Sequence, residues 1–237
     1  MRFLFICVLV FYSLVTQAGD NLYALHYQAQ GKGGLVSMQT EPATELLSGT
    51  RKQEDNISML EQGYDLMGLS SFEAGDVPPE QALVHGKEIK ADKVLVYVAK
   101  SRNSTPIGQM EFIREARKAG KELTEQDLQE LPQYRYYASY WAKLPAPLMG
   151  VHVIKLVPKD EDTAPADGVN VVAVIQGSPA FKAGLQRGDV LLRLGGNPVN
   201  KPEELSALVF GLQGQIVPVE ILRGGEAKAL EVQINKR

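Results

Sequence analysis

The side chains best suited to nucleophilic or metal chemistry in this sequence are His26, His85, His152, Cys7 and the serines of Gly68-Leu69-Ser70-Ser71-Phe72. A nucleophilic serine needs a histidine base, an acid to orient that base and donors for the oxyanion. A turn of the form Gly-x-Ser-x-Gly would present it, but Phe72 stands where the second glycine is required. No Gly-Asn-Ser-Gly-Gly type segment occurs, and the three histidines match no metal-ligand spacing. The expectation is therefore no catalytic residue, no metal and no cofactor. Tyr134 to Trp141 could stack on sugars or bases, but a strand of this kind more often buries both its faces in packing.

The elements that must position any site follow from the rest of the sequence. Of 237 residues, 44% are hydrophobic and the formal net charge is −3. The length suits one large or two small domains, and the charge balance gives no reason to expect a nucleic-acid partner. Met1-Arg2, the apolar run Phe3 to Val15 and the small residues up to Ala18 have the layout of a secretory signal, 1–18. The run is too short for a stable membrane anchor. Cys7 lies inside it, so the mature chain is expected to be exported without disulfides, into the periplasm or beyond the cell.

Residues 19–62 read as a polar lead segment, with a helical piece around Glu41 to Leu47. Residues 63–144 read as an α/β domain: a strand from Tyr64 to Phe72, a helix from Pro79 to Lys90 and a strand from Lys93 to Ala99. A polar helical insertion spans 101–133, with a helix from Thr124 to Leu131, and the alternating strand Tyr134 to Leu144 follows. Pro145 and Pro147 stiffen a linker, and residues 145–237 form a second domain of short strands. Strands are expected at Val151 to Val157, Asn170 to Ile175 and Val190 to Leu194. A helix begins near Asn200, and a hairpin turns at Gly224-Gly225. Between these, Ser178 caps a helix opened by Pro179, Gly184 ends it, and Gly188-Asp189 turns the chain. The fold class is α+β.

Leu148-Met149-Gly150-Val151, Val171 to Ile175 with Ser178-Pro179-Ala180, Ala183-Gly184-Leu185, Gly188-Asp189-Val190-Leu191 and Asn197-Pro198-Val199 stand in one order. That order resembles a bacterial PDZ domain of the type appended to HtrA/Deg serine proteases, over residues 147 to 236. The resemblance implies a β-sandwich with two helices in the circularly permuted bacterial form. It also implies a carboxylate-binding loop at Leu148 to Val151. Residues 19–146 are too few for a double β-barrel protease, so a non-catalytic protein is expected.

A PDZ domain takes a peptide as an added strand on a sheet edge. Gly150 would let the backbone bring its N–H donors to the peptide's terminal carboxylate. Met149, Val151 and Val153 alternate onto one face, His152 lies in the same strand, and Leu205, Leu208 and Val209 on the second helix form the opposite wall. The implied partners are protein C termini or extended apolar peptides, and the implied role is an adaptor or scaffold in envelope quality control or secretion. The acidic run from Pro158 to Asp167 reads as a solvated loop. Two alternatives stay open: an N-terminal enzyme supplied with substrate by the PDZ domain, and a structural role, in a homo-oligomer or with the groove docked internally.

Overall fold

Val94 and Val96 on one strand lie opposite Tyr140 and Ala138 on the next, and this apolar alternation seeds the first sheet. In this computed structural model the described residues are 20–236, apart from 31–33, 103–104, 130, 132 and 158–165. The secretory signal expected at 1–18, with Cys7, lies outside them, as does most of the acidic loop.

The first sheet has five strands: β1 (Tyr27–Ala29), β2 (Glu45–Ser48), β3 (Tyr64–Ala74), β4 (Lys93–Lys100) and β5 (Tyr134–Lys143). Their order is β1-β3-β5-β4-β2. β5 runs antiparallel to both β3 and β4, so those two point the same way with β5 between them. Helix α3 (Glu80–Glu88) crosses from β3 to β4, which makes a split βαβ unit. Both faces of β5 are buried. Tyr136, Ala138 and Tyr140 pack with Tyr23 and Phe72. On the other face Trp141 packs with Leu95 and with Met59 of α2 (Lys52–Glu61).

Three sequence expectations change here. The segment 19–62 is not merely a polar lead. It supplies α1 (Leu22–Leu25), β1, β2 and α2, and Tyr23 is fully buried. The helix expected at 41–47 is replaced by β2, because Glu45 to Ser48 pair in parallel with Lys93 to Val96, and that ladder outweighs local propensity. The insertion holds a longer helix than expected, α4 (Pro106–Lys118), ahead of the short α5 (Glu125–Gln129). Its signal was present: Thr105 caps it, Oγ1 accepting from Gly108 N at 3.1 Å, and Pro106 follows.

The second sheet is built from β6 (Val151–Ile154), β7 (Val169–Val174), β8 (Val190–Leu194), β9 (Asn197–Pro198), β10 (Ile216–Arg223) and β11 (Glu226–Gln233). The order is β11-β10-β8-β7-β6, with β9 beside β8. Helices α6 (Pro179–Lys182) and α7 (Pro202–Gly211) pack on it. The β10–β11 hairpin turns at Gly224 and Gly225, both at positive φ (59° and 85°) as a tight turn needs. β6 ends at Ile154 rather than running to Val157, since its pairing with β7 stops at Asn170.

The run from Ser178 to Leu191 folds as its punctuation implies. Ser178 Oγ accepts from Phe181 N at 3.2 Å, and Gly184 sits at φ 82°. Its anchor is Asp189, 1% exposed, which is bonded through both oxygens to Arg223 of β10 at 2.7 and 2.8 Å. Burial alone would raise the Asp189 carboxyl. Hydrogen bonds from Arg223 and from Gln186 N–H outweigh it and hold the group below the usual carboxylate range.

The two sheets meet through α2. Its last residue, Glu61, accepts from Gln176 N at 2.8 Å, and Leu144 N donates to Gly63 O at 3.1 Å. Arg187 lies 3.9 Å from the Glu61 carboxylate across the same seam.

Candidate functional site

β6 is the last strand of its sheet and pairs only with β7, which leaves its other edge facing a groove closed on the far side by α7. The groove encloses about 570 Å³. Leu148, Met149, Gly150, Val151, His152 and Val153 line it from the loop and strand, and Leu205 and Val209 line it from the helix. Leu208, the remaining residue expected there, packs on the core beside the groove and is not part of its lining. Leu144, Pro147, Ile175, Pro202 and Ser206 line it as well. Ser206 could have been found from helical spacing, since 202, 206 and 209 recur on one helix face. Leu144 and Ile175 reach the groove only through tertiary packing.

The loop entering β6 is fixed by its carbonyls. Pro147 O accepts from Asn235 Nδ2 at 2.8 Å, and Leu148 O from Asn235 N at 2.9 Å. Met149 O accepts from Ala180 N at 2.9 Å. Gly150 O accepts from Ile175 N at 2.9 Å and from Ser178 Oγ at 3.4 Å. With every carbonyl from 147 to 150 engaged, the loop has only donors left to offer. Among the described residues, the N–H groups of Leu148, Met149 and Gly150 have no acceptor. Consecutive unpaired backbone N–H groups are the kind of donor set that can hold an anion.

Gly150 is required on two counts. Its φ of 90° is a conformation that side chains disfavour, and a Cβ there would lie 2.3 Å from Ser178 Cβ and 2.5 Å from Ser178 Oγ. The capped turn at Ser178 and the donor loop are thus packed directly on each other.

Val151 and Val153 pack partly against the core, and Met149 is almost fully buried in it. The register of β6 on β7 shifts between His152 and Val153, so simple alternation holds only up to His152. Burial lowers the His152 pKa, and the negative charge of Asp65 on β3 offsets part of that effect. His152 Nε2 is buried without a hydrogen-bond partner among the described residues.

Of the other chemistry-bearing residues, Ser70 and His85 both lie against Tyr140, whose hydroxyl is 3.5 Å from Ser70 Oγ. Ser70 is buried in mid-strand, its Oγ donating to Tyr23 O at 2.6 Å. His85 sits edge-on between Tyr27 and Tyr140, with ring centroids 4.7 and 5.2 Å away. His26 stacks on Phe72 at 5.3 Å.

Residues 147–234 match the family model described as the PDZ domain. A "Probable periplasmic serine endoprotease DegP-like" of Pseudomonas putida is 38% identical over 68 residues, which is 28% of this chain and 14% of that protein. The "Magnetosome formation protease MamE" of Paramagnetospirillum magneticum is 42% identical over 62 residues, 26% of this chain and 8% of that one. The chain therefore spans only a small part of the curated relatives it matches, and the match to these proteases lies in the PDZ region alone. A solved structure described as "HtrA-type protease AlgW with decapeptide" is 25% identical, covering 38% of this chain and 29% of that one, with a TM-score of 0.33.

Proposed function

We propose, from a PDZ domain at residues 147–234, that the groove between β6 and α7 takes a protein C terminus or an extended apolar peptide as an added strand. The observation that carries this reading is the donor-only loop, Leu148 to Gly150, at one end of an unpaired strand edge. The ligand backbone would pair with β6, its carboxylate would meet the loop amides, and its last side chain would enter between Met149, Val151, Leu205 and Val209. On this reading β6 comes first in the domain and β11 closes it, as in the permuted bacterial form.

The protein then acts by recognition, as an adaptor or scaffold. The relatives' proteolytic activity belongs to those proteins. The word "periplasmic" in the name of the Pseudomonas relative supports placement in the cell envelope. Among the described residues no helix is long and apolar enough to cross a membrane.

A titration of peptides ending in valine against peptides ending in aspartate tests the pocket. Valine should bind at least about tenfold more tightly. Ser206→Glu, at an exposed position on the groove wall, should weaken both by repelling the ligand carboxylates, without unfolding the protein. Equal binding of both peptides to wild type and variant would refute the assignment.

A further inference from the structure

The first domain reaches the peptide groove at one seam. α2 ends at Glu61, and Gln62-Gly63 after it lie against the residues that join β7 to α6. Those residues, Ile175 to Ser178, form a turn closed by Ser178 N donating to Ile175 O at 3.1 Å. Gly177 has φ 71°, whereas Gln176 before it has no positive φ, which makes the turn type II. Its donors point to both domains. Ile175 N donates to Gly150 O at 2.9 Å, and Ser178 Oγ reaches the same oxygen at 3.4 Å. Gln176 N donates instead to Glu61 O of the first domain, at 2.8 Å.

Further contacts close the seam around that bond. Leu144, which lines the groove, donates its N–H to Gly63 O at 3.1 Å. Lys143 Nζ donates to Gln62 O. A Cβ on Gly63 would touch Ile175 Cγ2 and Lys143 Nζ, each at 3.4 Å, so little more than a methyl group separates the end of α2 from the groove wall. The far side of the turn is as close to the donor loop, where a Cβ on Gly150 would overlap Ser178. A turn packed tightly on both sides passes a displacement on rather than absorbing it. The route is short: Glu61 O to Gln176 N, then along one residue of backbone to Ile175 N and Gly150 O.

We infer that Gln176 is a positioning residue for the donor loop, through which the first domain sets the aim of the Gly150 amide. This role presupposes that the groove receives a carboxylate-ended peptide. Consecutive amides hold an anion only when their N–H bonds converge on it, so a small tilt of the supporting turn misaims them. The bond from Gln176 N to Glu61 O fixes that tilt from outside the PDZ domain. The rest of the groove has its own support: β6 is held by β7, and Leu205 and Val209 are set in the PDZ core. The seam therefore governs how strongly the groove prefers a free carboxylate, and leaves its grip on the rest of the peptide unchanged. By linkage the effect runs both ways, and a bound carboxylate tightens the seam.

The test uses the full mature chain and one labelled apolar peptide, with a free C-terminal carboxylate or with a C-terminal amide. Gln176→Pro removes the N–H that crosses the seam and keeps the turn, because proline suits the second position of a type II turn. It should weaken the carboxylate form about threefold to tenfold and leave the amide form unchanged. Gln176→Ala keeps the N–H and should discriminate as wild type does. Amide hydrogen exchange of the wild type is a second measurement that needs no variant. At equal occupancy, the carboxylate form should slow exchange at Gln176 more than the amide form does. Circular dichroism checks that Gln176→Pro folds, and the exchange measurement decides if it does not. If wild type binds neither form, or both equally, the carboxylate site itself fails and the role of Gln176 with it. If wild type discriminates and folded Gln176→Pro discriminates as well, or if exchange at Gln176 ignores the carboxylate, the role of Gln176 alone is overturned. Equal loss of both forms in folded Gln176→Pro would make the contact merely structural and overturn it too.

Discussion

The second sheet closes over valine, leucine and isoleucine, whereas the first closes over tyrosine and phenylalanine. Around Val169, Leu191, Val219 and Ile221 the side chains have no polar atom to satisfy, so shape and area suffice. Around Tyr23, Phe72 and Tyr136 the rings meet edge-on or stacked, at centroid distances of 4.9, 6.1 and 5.1 Å. Each tyrosine also carries a hydroxyl into the core. Tyr136 Oη donates to Gly75 O at 2.9 Å and accepts from Val77 N at 2.9 Å, which ties down the chain after β3. Burial pushes the Tyr140 hydroxyl up to about 12, a hydrogen bond with Ser70 offsetting part of the rise. The first sheet thus gains specificity from the hydrogen-bonded hydroxyls of Tyr136 and Tyr140 inside its core, while Tyr23 Oη is buried with no partner among the described residues. The second gains it from backbone turns that only glycine fits.

Substitutions can break this contrast in order of effect. The largest loss should come from Gly150→Val, which forces a branched side chain into positive φ and against Ser178. It should cost about 3–5 kcal/mol in urea unfolding. A loss below that of Gly184→Ala, where φ is also positive but nothing lies within 4 Å, would show that the contact with Ser178 is not needed. The Gly184 variant should cost about 1 kcal/mol.

Asp189→Asn, which breaks the paired link to Arg223, should cost about 2–3 kcal/mol at neutral pH. Its pH dependence has a definite sign. The folded carboxyl lies below its unfolded value of about 3.9. The stabilisation is therefore full above that value and lost as pH falls through the lower folded one. The gap in stability between wild type and variant should close on acidification below about pH 4. A constant gap would remove the ion pair from the account.

In the first sheet, Tyr136→Phe keeps the ring and strands Val77 N, so it should cost about 1–2 kcal/mol. No loss would mean that the ring alone does the work and that the two cores do not differ in kind.

The smallest effect should come from His152. Its folded pKa is lowered by burial, so the folded protein binds fewer protons than the unfolded chain below about pH 6.5. Stability should decline as pH falls from there toward the folded pKa, and His152→Gln should flatten that slope. An unchanged slope would assign the decline to other groups.

The same contrast explains what could be read from the sequence. Ser178 as a helix cap, Gly184, Gly188 and the pair Gly224-Gly225 act on their immediate neighbours, so their types and spacing display these roles, whereas the contact that makes Gly150 obligatory comes from Ser178, 28 residues on. The groove residues from Leu148 to Val153 can be found because Leu148-Met149-Gly150-Val151 resembles a carboxylate-binding loop that leads into a strand, and Leu205 and Val209 because a helix repeats. Asn235, which holds Pro147 from 88 residues away, and Arg223, which holds Asp189 from 34, leave no local trace. β2 reads locally as helix because its strand partner, β4, lies beyond three intervening elements. Tyr23 was hidden in a polar stretch because one ring, delivered by a four-residue helix, makes no periodic pattern.

The central claim is that the amides of Leu148, Met149 and Gly150 receive a terminal carboxylate. Fluorescence anisotropy of one apolar peptide, with a free carboxylate and then with a C-terminal amide, tests it most directly. Loss of the charge-assisted hydrogen bonds should weaken binding by roughly tenfold to a hundredfold. Equal affinity for the two forms would contradict it.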